Sequence, residues 1–170
     1  MKSFFLEGPD NAGKSTLAHE LSKRLGMLVY HQDKPRSLAE YNDAILFERN
    51  TNNLIFDRSM AISQVLYDRA LHRKHIDGLS SDKAKANLTS ILVHQIVIVC
   101  LPPDWHLYNI DPAKAEMPGV RENHAAICEQ YKRLVENYAG FSNVVVYDYT
   151  IHAVDNVIDW LINDQGISNA

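Results

Sequence analysis

Apolar positions fall into two alternating kinds of segment. Short unbroken runs at Ser3 to Glu7, Met27 to Tyr30, Leu54-Ile55-Phe56, Gln95 to Leu101 and Val144 to Tyr147 have the length and composition of buried strands. Between them, apolar residues recur every three or four positions, as helices require. Leu17, Leu21 and Leu25 form such a stripe over 14–25, closed by Gly26. Ser37 can cap a helix to about Arg49. Ser59 can cap another, carrying Ile62, Val65, Leu66 and Ala70 and running through Leu71-His72-Arg73-Lys74-His75 before Asp77-Gly78 breaks it. Ser80 and Ser81 open a helix to about His94. Residues 121–138 place Ile127, Tyr131, Leu134, Val135 and Tyr138 on one stripe, and Val154, Val157, Ile158, Leu161 and Ile162 predict a terminal amphipathic helix. Residues 103–120 hold Pro112, Pro118 and Gly119, lack periodicity, and read as a short helix plus mobile loop.

Strands that alternate with helices predict an α/β fold: a five-stranded parallel sheet with helices on both faces, three layers in all. No repeat, low-complexity tract or linker interrupts the pattern, so residues 1–170 read as a single domain. Lys and Arg number 17 against 21 Asp and Glu, a formal charge of −4, which offers no general basic face for nucleic acid. The apolar run Ile96 to Leu101 is too short to cross a bilayer, and Glu7 arrives too early for a secretory leader. Cys100 and Cys128 have no framework or metal-ligand spacing and read as buried thiols. The expectation is a cytoplasmic protein without membrane partners.

The chemistry lies in Gly8-Pro9-Asp10-Asn11-Ala12-Gly13-Lys14-Ser15-Thr16. Two glycines with four residues between them, then Lys and a hydroxyl residue, between a strand and a helix, form a phosphate-binding loop (P-loop). Gly8 and Gly13 allow backbone N–H groups to approach phosphate oxygens, and the helix N-terminus adds a favourable dipole. Lys14, expected at the rim of this loop, can reach β and γ phosphates; Ser15 can ligate Mg²⁺. Asp57 and Arg58 follow the third strand directly. Asp57 can hold Mg²⁺ or its water, or act as base; Arg58 offers a planar fork for a second phosphate.

Phe5 to Thr16 resembles the phosphate loop of thymidylate kinases. Asp57-Arg58-Ser59, followed by Ser63-Gln64-Val65-Leu66-Tyr67, is similar to that family's Asp-Arg-aromatic motif and its succeeding helix. Val99-Cys100-Leu101-Pro102-Pro103 resembles the strand leading into its lid. The resemblance implies a P-loop NTPase-type fold, ATP and Mg²⁺ as cofactors, and phosphoryl transfer to a deoxynucleoside monophosphate, with dTMP or a modified pyrimidine as the first expectation. It implies that Arg58 grips the acceptor phosphate, that Asp57 serves metal or acceptor, and that Gln64 and Tyr67 face the nucleobase or sugar. Asp33, after the second strand, is a further acceptor-site candidate, as is His31. The loop Tyr147-Asp148-Tyr149-Thr150 would border the adenine. A homodimer is compatible with the pattern, and the compact lid is similar to those of phage-encoded kinases.

The sequence also departs from that family. Ser59 replaces the aromatic, as in some deoxynucleoside kinases. The lid region carries Asp104, Asp111 and Glu116 against Lys114 alone, with Arg121 just beyond. Either Lys114 and Arg121 neutralise the transferring phosphoryl group, or Arg69, Arg73 or Lys74 does. Two alternatives stay open: a kinase for a nucleoside or for a hydroxymethylated pyrimidine within DNA, which the acidic charge disfavours, and a non-catalytic nucleotide-binding module.

Overall fold

The computed structural model describes residues 2–73, 76–103, 119–138 and 140–167. Strands β1 (Phe4–Glu7), β2 (Leu28–His31), β3 (Leu54–Asp57), β4 (Ile96–Cys100) and β5 (Val144–Tyr147) form one parallel sheet in the order β2-β3-β1-β4-β5. Helices α1 (Lys14–Leu25), α2 (Leu38–Asn50), α3 (Met60–Ala70), α4 (Ser81–His94), α5 (His124–Tyr138) and α6 (Val154–Asn163) cover it. The expected α/β architecture is therefore observed. No helix among the described residues is long and apolar enough to cross a membrane.

Period-two alternation divides the core. Phe4 and Leu6 join Leu17, Leu21 and Leu25 of α1 and Val157 and Leu161 of α6 on one face. Phe5 joins α2, α3, α4 and α5 on the other, where its ring stacks on Phe56 at 4.6 Å. Glu7 shares the parity of Phe5 and so enters the α3 side of the sheet. β1 lies between β3 and β4, which puts the loop after it at the centre of the sheet's carboxyl edge, the usual ligand edge of such folds.

Local signals set most helix ends. Ser37 and Ser80 accept the backbone N–H groups of Glu40 and Lys83, both at 3.2 Å. Gly26 closes α1 at φ +65°. α3 stops at Ala70, five residues before the expected end at His75. His72 turns to φ +49° and the Arg73 N–H returns to the Asp68 carbonyl at 2.9 Å, which closes the helix. β2 is an edge strand with one ladder neighbour, and its Leu28 is 73% exposed rather than buried. Most of the expected lid, including Lys114, lies outside the described residues, as does Lys74.

Candidate functional site

Gly8 leaves β1 at φ +140°, and a Cβ there would stand 2.3 Å from the Cys100 carbonyl oxygen. Only glycine lets the loop cross the end of β4 so closely. Gly13, at φ +81°, precedes α1, and the Tyr149 ring packs against it from the β5–α6 loop. Tyr147, the last residue of β5, is buried. Asp10, Asn11, Ala12, Gly13, Lys14, Ser15 and Thr16 line a cavity of about 270 Å³, with His31, Asp57 and Arg58 completing it.

Lys14 is not at the rim. It is buried, and its Nζ donates to the Pro9 carbonyl at 2.5 Å. The loop wraps around its own lysine because that ammonium needs a carbonyl once removed from water. Burial, aided by the nearby Arg58 charge, lowers its pKa to about 8.

β3 delivers Asp57 beside Leu6, and the Arg58 N–H continues the ladder to the Leu6 carbonyl at 3.0 Å. Arg58 then takes φ +80°, an uncommon conformation for a side chain of its size. Its guanidinium donates to the Gly8 carbonyl at 3.1 Å and to Asp10 Oδ1 at 2.9 Å, and lies over the Tyr67 ring, 5.1 Å from its centroid. The Tyr67 hydroxyl donates to Asp10 Oδ2 at 2.6 Å. Burial would raise the Asp10 pKa, but Arg58, the Tyr67 bond and Lys14 outweigh it and hold the group below its ordinary value. His31 Nδ1 stands 3.3 Å from Asp57 Oδ2.

Two buried carboxylates support this turn from beneath. Glu7 accepts the Ser59 N–H at 2.5 Å, the Ser63 hydroxyl at 3.0 Å and the Tyr131 hydroxyl at 2.8 Å. Glu48, from α2, accepts the Ser59 hydroxyl at 2.8 Å and the Met60 N–H. Ser59 thus does not cap α3 with its own oxygen; Glu48 supplies the acceptor for the N–H of Met60 at the helix start. Burial raises both carboxyls, Glu48 to about 7.

A second cavity, of about 370 Å³, adjoins the first. Asp10, His31 and Arg58 line both. Its helix side is Met60, Ser63, Gln64, Tyr67 and Asp68; Gln32, Asp33 and Lys34 come from the turn after β2, and Arg73 and Val120 complete it. The structure therefore gathers the expected donor residues other than Gly8 around one cavity and Arg58, Gln64, Tyr67 and Asp33 around the other. Asp10, expected on the donor side alone, is shared. Arg121 is exposed and lines neither cavity, whereas Arg69 faces a separate hollow with Leu88 and Phe141. Of the expected cations Arg69, Arg73 and Arg121, Arg73 alone lines the second cavity, where Lys34 and Arg58 also stand.

Glu7, Glu48, Gln32, Asp68 and His124 are site-forming residues that the sequence did not single out. His124, at the start of α5, pairs through Nε2 with the Asp10 carbonyl at 3.0 Å. Glu7, Glu48 and His124 act through partners distant in sequence, so no local spacing announces their roles.

Ser15 and Asp57 bring a hydroxyl and a carboxylate to the first cavity. Among the described residues no cluster of three His, Cys, Asp or Glu side chains could hold a metal alone. This hard, oxygen-only and incomplete donor set fits Mg²⁺, which keeps water and phosphate oxygens as its remaining ligands.

No protein-family model matches the sequence, and no curated protein sequence does. Solved structures do match. YorR from Bacillus subtilis, in complex with phosphorylated GDP, aligns over 99% of this chain and 100% of its own, with a TM-score of 0.70 and 18% identity. Thymidylate kinase from Candida albicans covers 98% of this chain and 93% of its own, with a TM-score of 0.66 and 13% identity. Deoxyadenosine kinase from M. mycoides with dCMP and dCDP covers 96% and 98%, with a TM-score of 0.59 and 16% identity. From end to end, the chain has the fold of the P-loop nucleoside and nucleotide kinases.

Proposed function

We propose that the protein is a kinase that transfers the γ-phosphoryl group of ATP to a deoxynucleoside or its monophosphate. One observation carries the reading. Two adjoining cavities, one walled by a phosphate loop, meet at Arg58 and Asp10. A nucleotide switch has use for the first cavity only; a transferase requires both. The fold shared with nucleoside and nucleotide kinases supports the same conclusion.

In this reading the loop N–H groups and Lys14 cradle the donor phosphates. Lys14 trades the Pro9 carbonyl for phosphate oxygens, and the arriving negative charge restores its proton affinity. Arg58 leaves Asp10 in part to grip the acceptor's phosphate or attacking oxygen, while its backbone stays fixed by the ladder bond to Leu6. Asp57 lines the first cavity next to Arg58, which both cavities share, and would orient the attacking oxygen or help to hold the metal. Bound Mg²⁺, held by Ser15 and Asp57, would neutralise phosphate charge. Catalysis is then mostly positioning and electrostatics. An acceptor within DNA is less well served, given the acidic chain. The expectation of thymine rests on the thymidylate-kinase resemblance alone.

The test is ATP-dependent ADP release measured across deoxynucleosides, their monophosphates and DNA oligomers. Acceptor-dependent release with one of the first two is expected. ADP release that no acceptor accelerates would refute the transferase and favour the regulatory module; stimulation by DNA alone would favour the DNA kinase.

A further inference from the structure

α3 has two working faces. Tyr67 and Asp68 line the 370 Å³ cavity, whereas their chain neighbours Leu66 and Arg69 line a hollow of about 800 Å³ where α3, α4 and α5 converge. At about 100° per residue the two pairs point in opposite directions from the helix axis. Among the described residues, neither the phosphate loop nor Asp57 or Arg58 contributes to this hollow.

The hollow has two unlike ends. α4 and α5 run side by side in the same direction: Thr89 Oγ1 meets the Tyr138 hydroxyl at 3.4 Å, and the Asn143 amide, beyond α5, donates to the Leu92 carbonyl at 2.9 Å. Val93 and Phe141, each 37% exposed, therefore stand at one end with Tyr138, whose ring lies 5.5 Å from that of Phe141. Lys85 and Arg133, earlier on α4 and α5, stand toward the other. The rings of Tyr67 and Tyr131, 6.5 Å apart, set the last turns of α3 level with the middle of α5, which brings Arg69 to that same end. All three cations are exposed. Among the described residues no carboxylate lines the hollow. Arg133 is paired with Glu129 along its own helix at 3.0 Å, but Arg69 and Lys85 make no ion pair with a described residue. Between the ends lies an apolar floor of Leu66, Leu88 and Leu134, all buried.

A concave surface lined by one sign of charge attracts the opposite sign, and a pair of rings left partly in water gains from a planar ring stacked on it. An inorganic anion would leave the aromatic end bare, and an apolar ligand would leave the cations unanswered. The chemistry that meets both ends is a flat aromatic body joined to a polyanion. Gln130 and Asn137 add side-chain amides, which can pair with the polar edge of such a body or with its spacer. We propose that this hollow is an effector site for a nucleoside triphosphate, with the phosphates at Arg69, Lys85 and Arg133 and the base against Tyr138 and Phe141. α3 is the wall that the hollow shares with the 370 Å³ cavity, so a ligand that draws Leu66 and Arg69 toward itself also moves Tyr67 and Asp68. The binding site stands independently of the kinase reading; its effect on an acceptor rests on that reading.

The experiment is equilibrium dialysis of the full chain, saturated with a non-hydrolysable ATP analogue, against labelled dATP, dGTP, dCTP and dTTP in turn. Binding of at least one of the four is expected, at one molecule per chain. Lys85→Glu, which reverses an exposed charge, and Phe141→Ser, which removes an exposed ring, should each weaken it tenfold or more while affinity for the ATP analogue and the melting temperature hold. Inorganic tripolyphosphate and the matching nucleoside should each compete at least tenfold less well than the intact nucleotide. In the kinase assay the same nucleotide should shift the acceptor KM severalfold in the parent and not in Lys85→Glu. No binding of any of the four, or binding that both variants retain, overturns the site. Binding lost in Lys85→Glu but kept in Phe141→Ser, or matched by tripolyphosphate alone, overturns the nucleoside and leaves a plain anion site. An acceptor KM that does not move overturns the effector role. If the nucleotide binds as expected and yet no acceptor is phosphorylated, the kinase reading fails and the site stands.

Discussion

Glu48 is the residue whose replacement should be most revealing, because burial has moved its titration into the neutral range. Its carboxylate lies under the first turn of α3, holding the Met60 N–H and the Ser59 hydroxyl, close to the equally buried Glu7. Burial raises its pKa from 4.5 to about 7, against the hydrogen bonds that oppose the rise. Folded protein therefore keeps a proton that unfolded chain releases. Stability from this group is fully present below pH 4.5 and is lost as pH rises through about 7. The interval corresponds to about 3 kcal/mol. Glu48→Gln removes the titration and mimics the protonated acid, with its carbonyl on the Met60 N–H and its amide on the Ser59 oxygen. Between pH 5 and pH 8 the variant should gain roughly 2–3 kcal/mol on the parent. Urea unfolding at half-unit pH steps, read at constant m-value, measures the gap directly. Two stability curves that run parallel across this range would show that Glu48 is ionised throughout and that the account of the turn is wrong.

Lys14→Ala should lower ATP turnover on the order of a hundredfold or more while leaving the melting temperature equal or higher, since it deletes a desolvated cation; kinetics and calorimetry on one preparation check both halves. Arg58→Lys keeps the charge but loses the fork that spans the Gly8 carbonyl and Asp10, so kcat/KM for the acceptor should fall tenfold or more with ATP affinity little changed. Gly8→Ala sets a Cβ against the Cys100 carbonyl in a conformation closed to alanine, and should lower the melting temperature markedly by scanning calorimetry; a soluble variant of parental stability would refute the close packing of loop on β4.

Much of this molecule is legible in its sequence because the signals are local. Short apolar runs alternate with four-residue stripes, and the glycines at 8 and 13 with Lys14 and Ser15 are contiguous. The five parallel strands and the helix caps at Ser37 and Ser80 agree with that reading, and Arg58, Gln64 and Tyr67 line one cavity. What escaped it is non-local. Glu48 sits beside Arg49 on a helix and looks like a solvated acid; only the packing of α2 against α3 buries it. Lys14 looks like a free ammonium until the loop closes on it. β2 reads as a core strand, yet an edge position leaves Leu28 exposed, which no property of residues 28–31 could announce.

Asp10 belongs to the phosphate loop by sequence and to the neighbouring cavity by side chain, with its carbonyl held by His124 and its carboxylate by Arg58 and Tyr67. In the proposed reaction the two binding events are consequently not independent. An acceptor that draws Arg58 off Asp10 leaves an extra negative charge on the donor loop; a donor that reshapes the loop changes what Arg58 can offer. The coupling free energy is one quantity seen from both sides, so whatever factor ATP imposes on acceptor affinity, the acceptor must impose on ATP. Tyr67, which bonds the carboxylate and lies beneath the guanidinium plane, is the side chain best placed to tune that factor from outside the phosphate loop.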